Sequence, residues 1–180
     1  MKWFIASDIH GSAYYCEKML ADYKREGADR LLFLGDILYH GPRNDLPRDY
    51  APKRVIEMLL PLKNEVFSVR GNCDSEVDQM VLPFPVLAEY SVLDLGKRLV
   101  FLTHGHIFNE QNPLPMKKGD ILLSGHTHVP RCEEKGGLVF MNPGSVSIPK
   151  ENSDHGYMTL ENGVFLWKKL GGEVYKEYRL

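Results

Sequence analysis

Cysteine is scarce. Three thiols, Cys16, Cys73 and Cys132, are spread through 180 residues with no Cys-x-x-Cys pair. An odd, scattered set argues against both a disulfide framework and a thiolate zinc site. Long apolar runs are also missing. No segment is long enough to span a bilayer, and Met1-Lys2-Trp3-Phe4-Ile5-Ala6-Ser7-Asp8 reaches a carboxylate too soon for the apolar region of a signal peptide. A reducing cytoplasm is the expected location. Positive charge is limited as well: 22 Lys and Arg face 24 Asp and Glu, a formal net charge of −2. Such a chain has no field to draw in an extended nucleic acid, so an anionic substrate must find its positive charge locally. No linker, repeat or low-complexity tract divides the chain. Its length suits one well-buried domain and is short for two, so a single domain over residues 1–180 is expected.

What the chain does contain is one form repeated five times: a short apolar run, a small or polar residue, then a side chain able to bind a metal. Leu31-Leu32-Phe33-Leu34 leads through Gly35 to Asp36, and Phe4-Ile5-Ala6 leads to Ser7, Asp8 and His10. Val66 to Val69 leads through Gly71 to Asn72, Leu99 to Leu102 through Thr103 to His104, and Ile121-Leu122-Leu123 through Ser124-Gly125 to His126 and His128. Near-continuous apolar runs bounded by turn residues read as strands buried on both faces. In open α/β sheets a ligand sits at the carboxyl edge, so five strands neighbouring one another in one sheet would bring these endings together. Glycines at 35, 71 and 125 fit close backbone approach to a bound group. Asp36 is read as the centre.

Between these runs, Ser12 and Gly27 bracket a helical pattern with Ala13, Cys16, Met19, Leu20 and Tyr23 on one face, the crossover of a parallel βαβ unit. Residues 39–52 read as an ordered loop at the rim of the site. Pro52 opens a helix burying Val55, Ile56, Leu59 and Leu60, ended near Pro61. Asp74 or Ser75 is placed to cap a short helix. Val86 to Leu95 and Arg98 to Leu102 read as antiparallel strands. Leu138 to Met141, Tyr157 to Leu160, Val164 to Leu170 about Asn162-Gly163, and Glu173 to Tyr178 complete a β-rich carboxyl half.

Asp8-x-His10 and His126-x-His128 each have a spacing of two, which in extended backbone puts both side chains on one side. Each pair can then hold one ion, with Asp36 bridging through its two oxygens. Carboxylates, an amide and imidazoles without thiolate suit borderline divalent ions. Two such ions, typically about 3.5–4 Å apart, activate water and clamp a phosphoryl displacement.

Asp8-x-His10, Gly35-Asp36, Gly71-Asn72-Cys73-Asp74, His104 and Gly125-His126-Thr127-His128 together resemble the ordered signature of the calcineurin-like metallophosphoesterases. The resemblance runs from the first strand past Asn142-Pro143-Gly144-Ser145. The small size and the stretches Gly41-Pro42-Arg43-Asn44 and Gly71 to Glu76 look most like the YfcE-type bacterial phosphodiesterases. It implies an α/β fold, two mixed β-sheets packed as a sandwich flanked by helices. It also implies Asp8, His10, Asp36 and His128 on one divalent metal and Asp36, Asn72, His104 and His126 on another. Manganese is expected first, with zinc, iron, nickel or magnesium as alternatives, and a hydroxide held between the two ions is expected to attack phosphorus. Catalytic roles then fall to Asp36, Asn72, Cys73 and His104.

The chain departs from the wider family at Cys73, where many members carry a histidine thought to protonate the leaving group. A thiol, with an ordinary pKa of about 8.5 against about 6.5 for imidazole, is the poorer donor near neutrality. A small phosphodiester is therefore the expected substrate, with weak phosphomonoesterase activity. His40, Arg43 and His106 are candidate substrate contacts, Arg43 through a bidentate grip on phosphate. Asn142 to Ser145 reads as a tight turn supporting the site through its backbone. Exposed strand edges near the carboxyl terminus leave pairing with a second copy open. Two other readings are a protein-binding scaffold of the same fold, whose mark would be lost ligands, and a nuclease, which would need a basic groove.

Overall fold

The computed structural model describes residues 1–180. The first apolar run forms β1 (Trp3–Ala6), and α1 (Ala13–Glu26) follows. Ser12 caps this helix by accepting a hydrogen bond from the Tyr15 backbone, and Gly27 ends it at φ 57°. The chain returns as β2 (Arg30–Phe33), parallel to β1. The 39–52 loop is pinned at its far end, where Ala51 N–H donates to Gly11 O at 2.8 Å and the Ser12 hydroxyl donates to Arg48 O at 2.6 Å. Pro52 starts α2 (Pro52–Leu59), which leads to β3 (Val66–Ser68), parallel to β2. Ser75 opens α3 (Glu76–Val81) through a capping box with Asp78. The remainder is β4 (Tyr90–Asp94), β5 (Leu99–Thr103), β6 (Ile121–Leu123), β7 (Arg131–Lys135), β8 (Leu138–Asn142), β9 (Gly156–Glu161), β10 (Val164–Lys169) and β11 (Val174–Arg179).

These strands build two mixed sheets, one of six strands in the order β11-β10-β9-β1-β2-β3 and one of five in the order β4-β5-β6-β8-β7. Alternation along each strand divides the core. Phe4, Leu31 and Phe33 pack under α1 and α2, whereas Ile5 and Leu32 face the other sheet and meet Leu102, Leu123 and Met141. A smaller cluster, Phe101, Leu122 and Phe140 with Leu114, lies on the outer face of the five-stranded sheet. Strands covered on both faces in this way have no polar side to show, which is why their sequences are continuously apolar.

The expectation of one sheet for the five ligand-bearing strands is overturned. β1, β2 and β3 belong to the six-stranded sheet and β5 and β6 to the five-stranded one, so their endings meet across the seam of a sandwich. Other differences are local. Leu60 lies beyond α2 in a tighter 3-10 turn and is 46% exposed, because Pro61 draws the chain out of the helix before Leu60 can face the core. Residues 86–89 stay irregular: Val86 is spent on the helix-side core, leaving the strand to begin at Tyr90. Arg131 to Lys135 gave no apolar alternation, yet forms β7 as an edge strand that needs only one pairing partner. No helix is long and apolar enough to cross a membrane.

Candidate metal centre

Seven side chains converge where the two sheets meet. Asp8 and His10 follow β1, Asp36 follows β2 and Asn72 follows β3, while His104 follows β5 and His126 and His128 follow β6. His128 Nε2 lies 3.2 Å from Asp8 Oδ1 and 3.2 Å from His10 Nε2. His104 Nε2 lies 3.0 Å from Asn72 Oδ1, 3.2 Å from His126 Nδ1 and 3.3 Å from Asp36 Oδ2. The same Asp36 oxygen is 3.6 Å from His10 Nε2, so it faces both groups at once. Its other oxygen is engaged, accepting the Cys73 backbone N–H at 2.8 Å. Asp36 therefore offers one shared oxygen to the two groups rather than one oxygen to each.

The backbone that aims these groups is not extended. Asp8, His10, Asp36, His126 and His128 all have positive φ, between 49° and 68°. The two-residue spacings thus converge through left-handed turns just past the strand ends, not through strand alternation. Non-glycine residues adopt this region at a cost, and clusters of them mark sites where the surrounding structure holds the chain in place. Two glycines let the turns interlock. A Cβ on Gly71 would stand 2.0 Å from Asp36 Oδ1, and one on Gly125 would stand 2.0 Å from Ser7 Oγ. Asp74 braces the centre from behind, its carboxylate accepting the backbone N–H groups of Asp36 at 2.8 Å, Ile37 at 3.0 Å and Gly71 at 2.7 Å. Ser75 takes the helix-capping role, so Asp74 is free for this one. The Asn142 to Ser145 turn also supports the site, but through side chains: Asn142 Nδ2 donates to Gly125 O at 2.7 Å and Ser145 Oγ donates to Asp8 O at 2.9 Å.

An inventory of lone pairs shows what the cluster can hold. Nδ1 of His10, His104 and His128 each meets a backbone carbonyl, of Tyr39 at 2.8 Å, Leu34 at 2.6 Å and Ile148 at 2.6 Å. A carbonyl only accepts, so each Nδ1 carries a proton, and a ring with no second proton presents a bare Nε2 inward. Two bare nitrogens, of His10 and His128, then face each other at 3.2 Å. Asp8 Oδ2 accepts from the Ser7 hydroxyl at 2.6 Å and the His126 N–H at 3.1 Å, while Asp8 Oδ1 is buried with no hydrogen-bond partner. Acceptors that crowd together without donors are satisfied by a cation. The donor set, oxygen and imidazole nitrogen, fits divalent first-row ions.

Charge in the cluster is mutually tuned. Burial alone would raise Asp8 and Asp36, but the imidazoles of His10 and His128 against the first and of His104 against the second outweigh it whenever they carry a second proton on Nε2, which holds both carboxyls below their ordinary range. His104 is driven down by burial yet pulled further up by Asp36, to about 9. His126 falls to about 4 through burial and the neighbouring charge on His104. Burial and the Asp36 charge raise the Cys73 thiol and bring Asp74 to about 6.

A cavity of about 280 Å³ opens over this cluster, lined among others by Arg43, Asn44, Cys73, Thr127 and Lys150. Arg43 stands where the sequence reading put it, at the rim. His40 does not line the cavity; its ring packs edge-on against Tyr39 and Tyr50, drawn inward by the aromatic contacts. His106 faces a separate cavity beyond His126. Sequence reasoning missed Lys150, which sits in no motif, and the bracing role of Asp74, whose position beside Ser75 looked like a helix cap.

A family profile for the calcineurin-like phosphoesterase superfamily domain matches residues 1–163. The chain is 49% identical over 164 residues to Phosphodiesterase YfcE of Escherichia coli (strain K12), covering 91% of this chain and 89% of that protein. It is 28% identical to the probable metallophosphoesterase YsnB of Bacillus subtilis (strain 168), over 97% of this chain and 95% of that one. The solved structure of YfcE, a phosphoesterase from E. coli, superposes with a TM-score of 0.95 at 45% identity, covering 99% of each chain. The two mixed sheets are those of that fold. Divalent metal ions go with the family, and the clustered Asp and His side chains suit them. With the family profile spanning most of its length, the chain belongs to the calcineurin-like phosphoesterase superfamily.

Proposed function

We propose that the chain is a metal-dependent hydrolase of a small phosphodiester, with only weak action on phosphomonoesters. In this reading Asp8, His10, Asp36 and His128 hold one divalent ion, and Asp36, Asn72, His104 and His126 hold a second. When bound, such a pair supplies the Lewis acidity that activates water near neutral pH and offsets charge on a phosphoryl group. The observation that carries the reading is the opposition of bare imidazole nitrogens at 3.2 Å beside the unpartnered Asp8 Oδ1. Manganese is the ion proposed first, ahead of zinc, iron, nickel or magnesium.

The remaining work falls to the chain's own groups. Backbone carbonyls of Tyr39, Leu34 and Ile148 fix the ring orientations of His10, His104 and His128, and Asp74 holds the Asp36 turn. Arg43 and Lys150 at the cavity rim supply the local positive charge that a chain of net charge −2 otherwise lacks, Arg43 through paired N–H groups. Cys73 lines the cavity with its thiol protonated, since burial and Asp36 raise it. A group so reluctant to give up its proton helps a poorly stabilised alkoxide little, and diesters with better leaving groups gain by comparison. The phosphodiesterase designation of the E. coli relative supports the same substrate class. A full donor set speaks against a scaffold that has lost catalysis, and three free thiols suit a reducing cytoplasm.

The test compares an aryl diester with an alkyl monoester, using protein stripped by chelation and then reloaded with manganese. Activity should vanish on chelation, return on reloading and be absent in Asp36→Ala. Cys73→His should raise monoester turnover relative to diester turnover by roughly 100-fold, the lower end of what a positioned general acid contributes. Full activity after exhaustive chelation would end the metal reading, and an unchanged ratio would remove Cys73 from the selectivity argument.

A further inference from the structure

A second cavity, of about 350 Å³, meets the first at His126 and Thr127, which line both. Its floor is the outer face of the five-stranded sheet, where Leu122 and Phe140 stand side by side in the parallel register of β6 and β8. Residues of segment 105–111 line it on one side, and Arg131 on β7 lies over the Phe140 ring. The Arg131 guanidinium lies 5.1 Å from the centre of the Phe140 ring and is tied down by Glu110, at 2.7 Å, and by Glu133. Polar groups edge this floor. His106 Nδ1 is buried without a hydrogen-bond partner, and Ser124 and Gln111 add a hydroxyl and an amide. Leu122, Phe140 and Met141 are the hydrophobic residues of an otherwise polar lining, so the cavity suits a substituent that pairs a small flat apolar face with a hydrogen-bonding edge, and its volume lies within the roughly 300–1,000 Å³ of small-molecule sites. The guanidinium fixed over Phe140 adds attraction for a second π-system.

We propose that this second cavity receives one ester substituent of the phosphodiester, and that the substituent is a planar ring, held against the Phe140–Arg131 pair with its edge toward His106 and Ser124. The inference rests on the phosphodiesterase reading above and extends it. With phosphorus over the seven-residue cluster, one substituent passes His126 into this cavity. A monoester has nothing to place there. Discrimination for diesters then has a binding component, separate from the proton donor at Cys73.

The experiment uses the manganese-loaded full chain and three ligands that differ only in one substituent: dimethyl phosphate, methyl phenyl phosphate and thymidine 5′-(methyl phosphate). Calorimetry gives a Kd for each. Ring-bearing ligands should bind about tenfold tighter than dimethyl phosphate, the advantage expected of one stacked ring. The phenyl and thymidine arms show whether a plain aryl ring suffices or a nucleobase is preferred. The advantage should disappear in Arg131→Met, which removes the guanidinium from a partly exposed edge strand, and in Gln111→Trp, an exposed position from which the indole fills the cavity. Equal affinity for all three ligands overturns the proposal. So does a ring advantage that persists in both variants, since the ring would then be bound elsewhere. Hydrolysis of an aryl diester by the same preparation reads the underlying function separately. If turnover is absent while the ring preference and its loss in the variants hold, the subsite stands and the phosphodiesterase reading falls.

Discussion

Asp8→Asn exchanges one atom at the point where the cluster is least satisfied, and it should set stability against metal binding. The asparagine oxygen can keep the bonds that Asp8 Oδ2 accepts from Ser7 and the His126 N–H. Its Nδ2 then replaces Oδ1, 3.2 Å from His128 Nε2 and 3.5 Å from His10 Nε2, and donates to nitrogens that otherwise face a bare acceptor. Asparagine also tolerates the φ of 59° at this position. Removing an unsatisfied buried acceptor is worth about 1–3 kcal/mol. At about 2–4 °C per kcal/mol for a chain of this size, the chelated variant should melt roughly 2–12 °C above the chelated parent, at a pH where the two imidazoles are neutral. Excess manganese should reverse the order. An ion at about a thousand times its Kd stabilises the parent by about 4 kcal/mol, whereas the variant has lost both a charge and a donor atom. Scanning calorimetry with chelator and with manganese reads both effects. A chelated variant that melts below the parent, or an equal manganese shift in the two proteins, would refute the donor inventory.

Gly71→Ala should reduce diester hydrolysis at least about 100-fold with the fold retained by circular dichroism, because its Cβ would meet Asp36 Oδ1 at 2.0 Å and push the shared carboxylate aside. Parental turnover would show that Asp36 has room to move. Manganese uptake near neutral pH should release protons, since burial lowers His104 but Asp36 raises it further, to about 9, and that ring must give up a proton to present a lone pair. Calorimetry in buffers of different ionisation enthalpy measures this, and identical heats would contradict it. Away from the centre, partial burial would raise Glu26, but it accepts from Lys168 at 2.8 Å, Lys2 at 2.7 Å and Tyr157 at 2.8 Å, which together lower it from 4.5 to about 2. The unfolded chain takes up this proton first, so the contribution is complete above about pH 4.5 and is lost as pH falls toward 2. At about 1.4 kcal/mol per pH unit that is about 3 kcal/mol, reduced to about 2 by solvent at the Lys2 edge. Urea titrations of Glu26→Gln should show that loss at pH 7 and a flatter acid limb; a parallel acid limb would remove Glu26 from acid unfolding.

Much of the centre was legible because each candidate donor side chain stands within a few residues of the end of a short strand. Buried strands have little sequence freedom, and the residue that leaves the sheet stands out against them, as Asp36 does after Leu31 to Leu34. The division into two sheets was not legible: a strand covered on both faces looks the same in either. Nor was the left-handed backbone at His10, His126 and His128, since histidine, though enriched there among non-glycine residues, still adopts αL too rarely for its presence to signal it. β7 escaped because an edge strand such as Arg131 to Lys135 needs no apolar face. Lys150 escaped because a lone lysine in a loop carries no local pattern, and only the return of the chain past His128 brings it to the cavity.

Because four of the seven donors hang from one sheet and three from the other, the centre works as a caliper across the sandwich. The jaws are set by what fills the gap between the layers, notably Trp167, Phe165 and Met158. Shaving or enlarging one of those distant fillers should alter how far His104 and His128 stand from Asp36 and Asp8 without touching a donor. The interior filling of this protein is thus also the calibration of its chemistry.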